Sequence, residues 1–390
     1  MTTNYEESAR VRAASGSDPG PAATATGSSS PGSRGGSGAP GAHAEAASFE
    51  ALARRVKPAV DAALEKSLDL ALEEARAHGP SVTATVDAMR ALALRGGKRL
   101  RAVLVAAAFE GCGGEGGADA VVLAGVSFEL LQTYLLVHDD WMDGDATRRG
   151  GPSVHAALAA HFASDTLGAS GAVLAGDYAS ALAQDALLAV PRPAACVLAA
   201  ARELARVQRD VTLGQMIDLM ADASPGADVD TAYALKTASY TVRGPLVVGA
   251  ALAGAPAATR EALERYARPL GIAFQLRDDL LGTFGDAEAT GKPVGADLRR
   301  GKRTALVVEM EKEPYGQRLL DRVLGVADAP DDEVLALSRR MVESGAKGRV
   351  EARVTALLDE ARRALGAPAV PATLRQMLGS AADALGHRER

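Results

Sequence analysis

The chain has 390 residues, 47 % of them hydrophobic, which is enough for a large core and for as many as two or three domains. Aromatics make up only 4 %, so the core must be built from Ala, Leu and Val, a composition that favours helix. A net charge of −6 offers no general attraction to nucleic acid or to an anionic membrane.

Two cysteines, Cys112 and Cys196, stand in contexts that suggest neither a metal nor a reactive thiol, which suits a reduced compartment. No uninterrupted apolar run approaches the roughly 18 residues of a membrane span, and the N-terminus lacks an apolar signal core. A cytoplasmic protein without a membrane span is expected.

Residues 1–47 are rich in Ala, Gly, Ser, Pro and Thr. Such a segment buries too little apolar area to offset its ordering entropy, so a disordered tail is expected there. From Ser48 the pattern changes. "FEALARRVKPAVDAALEKSLDLALEEARAHG" carries apolar residues at three- and four-residue spacing and stops at Gly79-Pro80. Similar patterns recur to the C-terminus, with no convincing alternating run and no fixed-period repeat. The expected fold is all-α: a single large bundle of long helices over residues 48–390, built around a central cavity.

Next in order, "LRGGKRLRAVLV" places Lys98 and Arg101 just past a Gly-Gly break, three apart and so on one helix face. Gly-Gly lets backbone approach a ligand closely. In "SFELLQTYLLVHDDWMDGDATRRGG" an apolar helical run then delivers Asp139, Asp140 and Asp143 near a helix C-terminal end, within an arc of roughly 100°. Like charges at that spacing repel, and the helix macrodipole is negative at this end. Hard cations held by oxygen ligands, Mg²⁺ or Mn²⁺, explain the arrangement. Magnesium completes its shell with water and substrate phosphate, and the planar forks of Arg148 and Arg149 suit phosphate oxygens.

Downstream, "FQLRDDLLGTFGDAEATGKPVGADLRRGKRT" repeats the device. An apolar run delivers Asp278 and Asp279, followed by Lys292, Asp297 and Lys302 in a Gly/Pro-rich loop. A dedicated His or Glu base is not evident, and His138 reads as a packing or hydrogen-bonding residue.

The motifs "GGKRLR", "ELLQTYLLVHDDWMD…RRG", "GQMIDL", "KTASY", "FQLRDD" and "GKPVGADLRRGK", in that order, resemble the trans-isoprenyl diphosphate synthase (polyprenyl synthetase) family. The resemblance implies a Mg²⁺-dependent prenyltransferase, with three ions per active site, that joins isopentenyl diphosphate to an allylic diphosphate (dimethylallyl, geranyl or farnesyl). It implies that Asp139 and Asp143 bind metal with Asp140 in support, and that Asp278 binds metal with Asp279 assisting. Arg148, Lys236 and Lys292 would hold the allylic diphosphate, with Lys302 behind them. Lys98, Arg101, Gln132 and Arg149 would hold isopentenyl diphosphate. Lys236, Thr237 and Gln275 would lie beside the developing cation, and Gln215 and Asp218 would line the cavity.

Tyr134, with the non-aromatic Leu135 beside it, resembles the chain-length pattern of short-chain C20 enzymes, so geranylgeranyl diphosphate is the expected product and farnesyl diphosphate the second. The resemblance also implies a homodimer. One departure stands out: the second motif reads "DDLLG", with Gly282 where the family has a third aspartate, and Asp286 four residues on. A class I terpene cyclase would need a different second metal motif and no "GGKRLR". A non-catalytic synthase subunit would usually have lost its aspartates or arginines.

Overall fold

The computed structural model describes residues 48–220, 228–285 and 295–386. The expected disordered tail, together with Lys292 and Asp286, lies outside the described residues. The described chain is almost wholly helical. Its first helix, α1 (Phe49–Arg76), starts where Ser48 caps it by accepting a hydrogen bond from the Ala51 N–H at 3.1 Å. It buries Leu52, Val56, Val60, Leu64 and Leu68, one residue per turn along a single stripe. After α2 (Pro80–Leu94), α3 (Leu100–Gly111) and α4 (Ala118–Met142) enter the centre of the protein.

The helix α4 is long and apolar enough to cross a membrane, yet 67 % of its most apolar stretch is buried inside the protein, as in a core helix. Its Phe128, Leu130 and Leu131 are fully buried. It packs along α6 (Asp165–Leu188), which follows the short α5 (Val154–Phe162). Where α4 and α6 cross, Gly176 leaves room for His138, whose Nε2 lies 3.0 Å from the Val173 carbonyl.

Then come α7 (Ala194–Leu219), the single turn α8 (Val229–Ala232), and a π-helix over Tyr233–Arg243 that runs into α9 (Gly244–Leu252). All nine residues of α9, "GPLVVGAAL", are buried. A helix apolar on every side belongs in the middle of a large bundle.

The second long wall is α10 (Ala257–Phe284). The π-helix is held between α7 and α10 by two glycines. A Cβ on Gly214 would meet the Lys236 backbone nitrogen at 2.4 Å, and one on Gly271 would meet the Ala238 Cβ at 2.3 Å. Behind α10 the chain continues through α11 (Ala296–Arg299), α12 (Ala305–Glu311), α13 (Gly316–Val323), α14 (Asp331–Glu343), α15 (Ala346–Ala364) and α16 (Ala372–Gly386).

One element departs from the all-helical expectation. Thr147–Arg148 pairs antiparallel with Gly151–Pro152 in a minimal hairpin, β1 and β2. Its two turn residues, Arg149 and Gly150, both have positive φ (52° and 73°), as a tight primed turn requires. Pairing this short leaves no alternating pattern for a sequence reading to find.

Gly271→Ala tests whether the π-helix depends on this close approach. The added methyl should destabilise the fold by about 1–3 kcal/mol through overpacking and displace Ala238, lowering the thermal midpoint. An unchanged midpoint in calorimetry would show that the two helices separate without cost.

Candidate active site

Both acid clusters reach one cavity of about 500 Å³. From α4 come Asp139 and, at its C-cap, Asp143; from α10 comes Asp278. Within each pair the first aspartate lines the cavity and the second turns inward. Asp140 is 0 % exposed and Asp279 1 %.

Each inner carboxylate holds a cation. Arg148 donates through Nε to Asp140 Oδ1 at 2.6 Å. Lys302 donates to Asp279 Oδ1 at 3.1 Å, beside Gln275 Nε2 at 2.9 Å, while the Tyr233 hydroxyl donates to Oδ2. Asp140 and Asp279 were expected among the metal residues. In the structure they stand behind the residues that line the cavity, each paired with a cation, which suits the supporting part the sequence assigned them. Their partners Arg148 and Lys302 line the cavity.

Electrostatics follow from this layout. Burial pushes the Asp140 carboxyl above its ordinary range, against the pull of Arg148. Asp143 lies at the exposed rim, where desolvation of its carboxyl and then repulsion from Asp139 push its pKa up to about 6, against the pull of Lys236. Asp139 Oδ1 is buried without a hydrogen-bond donor, with only the Lys236 ammonium at 3.3 Å, and Asp140 Oδ2 is buried without a partner.

Hard carboxylate oxygens gathered at a polar cavity, with the buried Asp140 Oδ2 still lacking a partner, fit Mg²⁺ or Mn²⁺. Among the described residues no three acidic, His or Cys groups gather as a closed metal site.

The π-helix supplies the next layer. Lys236 lines the cavity and pairs with Asp218 at 2.6 Å as well as with Asp139. Burial opposes its charge, but Asp139 and Asp218 outweigh it, so its pKa is raised. Thr237 donates to Gln275 Oε1 at 2.6 Å, and Gln275 in turn donates to Asp279. Thr237, Gln275 and the inner carboxylate of the second wall thus form one chain.

Gly282 has a steric reason. A Cβ there would come within 2.8 Å of Asp297 Oδ2. Asp297 lines the cavity and lies 3.9 Å from Lys302 Nζ. The missing third aspartate of the second motif therefore leaves room for the Asp297 carboxylate on α11.

The second cation set is arranged differently from its sequence reading. Helix α3 begins at Leu100, so Lys98 precedes it and does not share a helix face with Arg101. Arg101 donates to Thr241 at 3.0 Å, and its guanidinium carbon lies 4.2 Å from the Tyr240 ring centroid. The hairpin places Arg149 Nη1 2.7 Å from the Gly96 carbonyl, on the Gly-Gly turn. Burial, then the charges of Arg99 and Arg101, lower the Arg149 pKa against the pull of Glu129.

Lys98, Arg101, Gln132 and Arg149 are not among the residues lining the main cavity. Arg99, passed over in the sequence, is the structural member of "GGKRLR": it is buried and bridges Asp61 and Glu129 at 2.6 and 2.7 Å.

An apolar cavity of about 260 Å³ adjoins the polar one, sharing Asp139, Met142, Leu219, Lys236 and Tyr240 with it. Tyr134, Leu135, His138 and Gln215 line it. Sequence reasoning missed Tyr233, Asp145 and Arg300 at the site. Arg300 stands inside the quoted "GADLRRGK", whereas nothing local marks the contact of Tyr233 with Asp279, 46 positions away.

Comparison with known proteins agrees with this geometry. The polyprenyl synthetase family model matches residues 83–341. A (2E,6E)-farnesyl diphosphate synthase of Mycobacterium tuberculosis is 37 % identical over 295 residues, 72 % of this chain and 78 % of that one. A geranylfarnesyl diphosphate synthase of Aeropyrum pernix is 34 % identical over 304 residues, 75 % and 91 % of the two chains.

Among solved structures, a geranylgeranyl pyrophosphate synthase of Corynebacterium glutamicum, complexed with isoprenyl diphosphate and magnesium, superposes with a TM-score of 0.78. It is 32 % identical, and the match covers 85 % of this chain and 98 % of that one. The chain belongs to the polyprenyl synthetase family.

Proposed function

We propose that this enzyme condenses isopentenyl diphosphate with an allylic diphosphate, head to tail, to a short all-trans product, and that the product is geranylgeranyl diphosphate. The observation that carries the reading is a polar cavity lined by Asp139, Asp143 and Asp278 that adjoins an apolar one. Asp139, Asp143 and Asp278 would hold Mg²⁺, three ions in all, with Mn²⁺ as a substitute. Bound there, the ions would neutralise charge on the departing diphosphate.

The chain's own residues do the rest. Arg148, Lys236 and Lys302 offer the allylic diphosphate fixed positive charge, which strengthens as the allylic C–O bond ionises. The apolar cavity excludes water, whose attack would convert the cation to an alcohol. Thr237 and Gln275 present oxygen dipoles beside the place where the cation develops. Isopentenyl diphosphate would sit towards Lys98, Arg101, Gln132 and Arg149, where Arg149 has the charges of Arg99 and Arg101 close by. Its double bond adds to the cation, and the released diphosphate takes the proton lost on forming the new alkene.

The relatives' products differ in length, so product length rests on the apolar cavity. Tyr134 and Leu135 both line it, one turn and more up α4 from Asp139. We also read residues 48–390 as one domain that acts in the cytoplasm as a homodimer.

Two sets of variants test this function. With labelled isopentenyl diphosphate and Mg²⁺, Asp139→Ala and Asp278→Ala should each cut turnover by about 100-fold or more while remaining folded. Near wild-type turnover in either would defeat the reading that both walls hold metal. Tyr134→Ala should deepen the apolar cavity and shift the products to C25 or longer by chromatography. An unchanged product would remove Tyr134 as the floor, and with it the C20 assignment.

A further inference from the structure

At the cavity the loop after α4 meets the turn after α11 through residues outside the acid motifs. Arg300, just after α11, reaches Asp145 in the loop after α4: Nη2 lies 2.6 Å from Oδ1 and Nη1 3.0 Å from Oδ2. Asp145 Oδ2 also lies 3.2 Å from Arg148 Nη2. Asp145 is 9 % exposed, and all three residues line the cavity.

The turn that carries Arg300 is well fixed. Arg299 donates to the Ala329 carbonyl at 3.1 Å, the Gly301 N–H bonds Leu298 O at 3.0 Å, and the Lys302 N–H bonds Asp297 O at 3.0 Å. Arg300 is therefore aimed by its backbone, not left to wander.

The charges show what this contact does. Without Arg300, Arg148 would stand between two carboxylates, Asp140 and Asp145, a net charge of −1 where a diphosphate must bind (one cation minus two anions). With Arg300 the group is neutral, two cations against two anions. A carboxylate already held in two prongs by Arg300 competes less for Arg148.

We propose that Arg300 is a positioning residue: by occupying Asp145 it leaves Arg148 able to turn towards the allylic diphosphate. The inference rests on the reading of this cavity as a diphosphate site.

The test is a double-mutant cycle read by calorimetric binding of inorganic diphosphate with Mg²⁺ to the full chain. Arg300→Gln should weaken binding about tenfold, and Arg300→Lys should recover part of the loss. In an Asp145→Asn background, Arg300→Gln should change affinity by less than about twofold, because the carboxylate that Arg300 keeps from Arg148 is then already gone. In steady-state kinetics, Arg300→Gln should raise KM for dimethylallyl diphosphate and leave that for isopentenyl diphosphate unchanged.

No loss in Arg300→Gln, or an equal loss in both backgrounds, would overturn the proposal, since Arg300 would then be idle or act on the anion directly. The binding readout does not require turnover. A wild type that binds magnesium diphosphate but forms no prenyl product would count against the prenyltransferase reading and leave the Arg300 comparison standing.

Discussion

Negative charge gathered at one cavity from the C-terminal end of α4 and from α10 is the constraint on which the rest of this structure depends. Asp139 and Asp143 crowd the C-terminal end of α4, where the macrodipole is already negative, and Asp278 faces them from α10. The fold offsets part of this charge by splitting each acid pair. The inner members, Asp140 and Asp279, are paired with Arg148 and Lys302. The outer members are left facing the cavity, with Lys236 beside Asp139. What remains is a set of carboxylates from two helices that the fold brings to one cavity.

The packing serves that arrangement. The buried α9 and the central stretch of α4 form an apolar middle against which the charged ends can be fixed. Gly214 and Gly271 allow the π-helix to lie against α7 and α10, so that Lys236 and Thr237 stand between the two walls. A wider helical turn at a functional site is a familiar way to re-aim side chains. The hairpin does the same for two consecutive arginines: Arg148 pairs with Asp140, while Arg149 reaches the Gly-Gly turn. Arg95 holds both hairpin strands through the Arg148 and Pro152 carbonyls.

Much of this was legible in the sequence because it is written in local patterns. Spacing of Leu and Val gave the helices, Gly79-Pro80 gave the first break, and the aspartates at the ends of apolar runs marked the site. Three features were not legible, each for a physical reason. The division of labour inside each acid pair depends on helix rotation relative to its neighbours, which a 100° arc does not fix. The start of α3 at Leu100, with Arg99 at a φ of 49°, separates Lys98 from Arg101 in a way that spacing alone does not show. The meaning of Gly282 depends on Asp297, fifteen positions on, and the link is a distance of 2.8 Å that only the folded chain possesses.

If the cavity is held open by charge that substrate and metal together neutralise, the two ligands must stabilise the protein as a pair. Thermal unfolding measured with Mg²⁺ alone, inorganic diphosphate alone, and both, tests this directly. The account predicts small shifts with either ligand alone and a shift well beyond their sum with both, because each removes the repulsion that opposes the other. Additive shifts, or a full shift with diphosphate in the presence of a chelator, would contradict it.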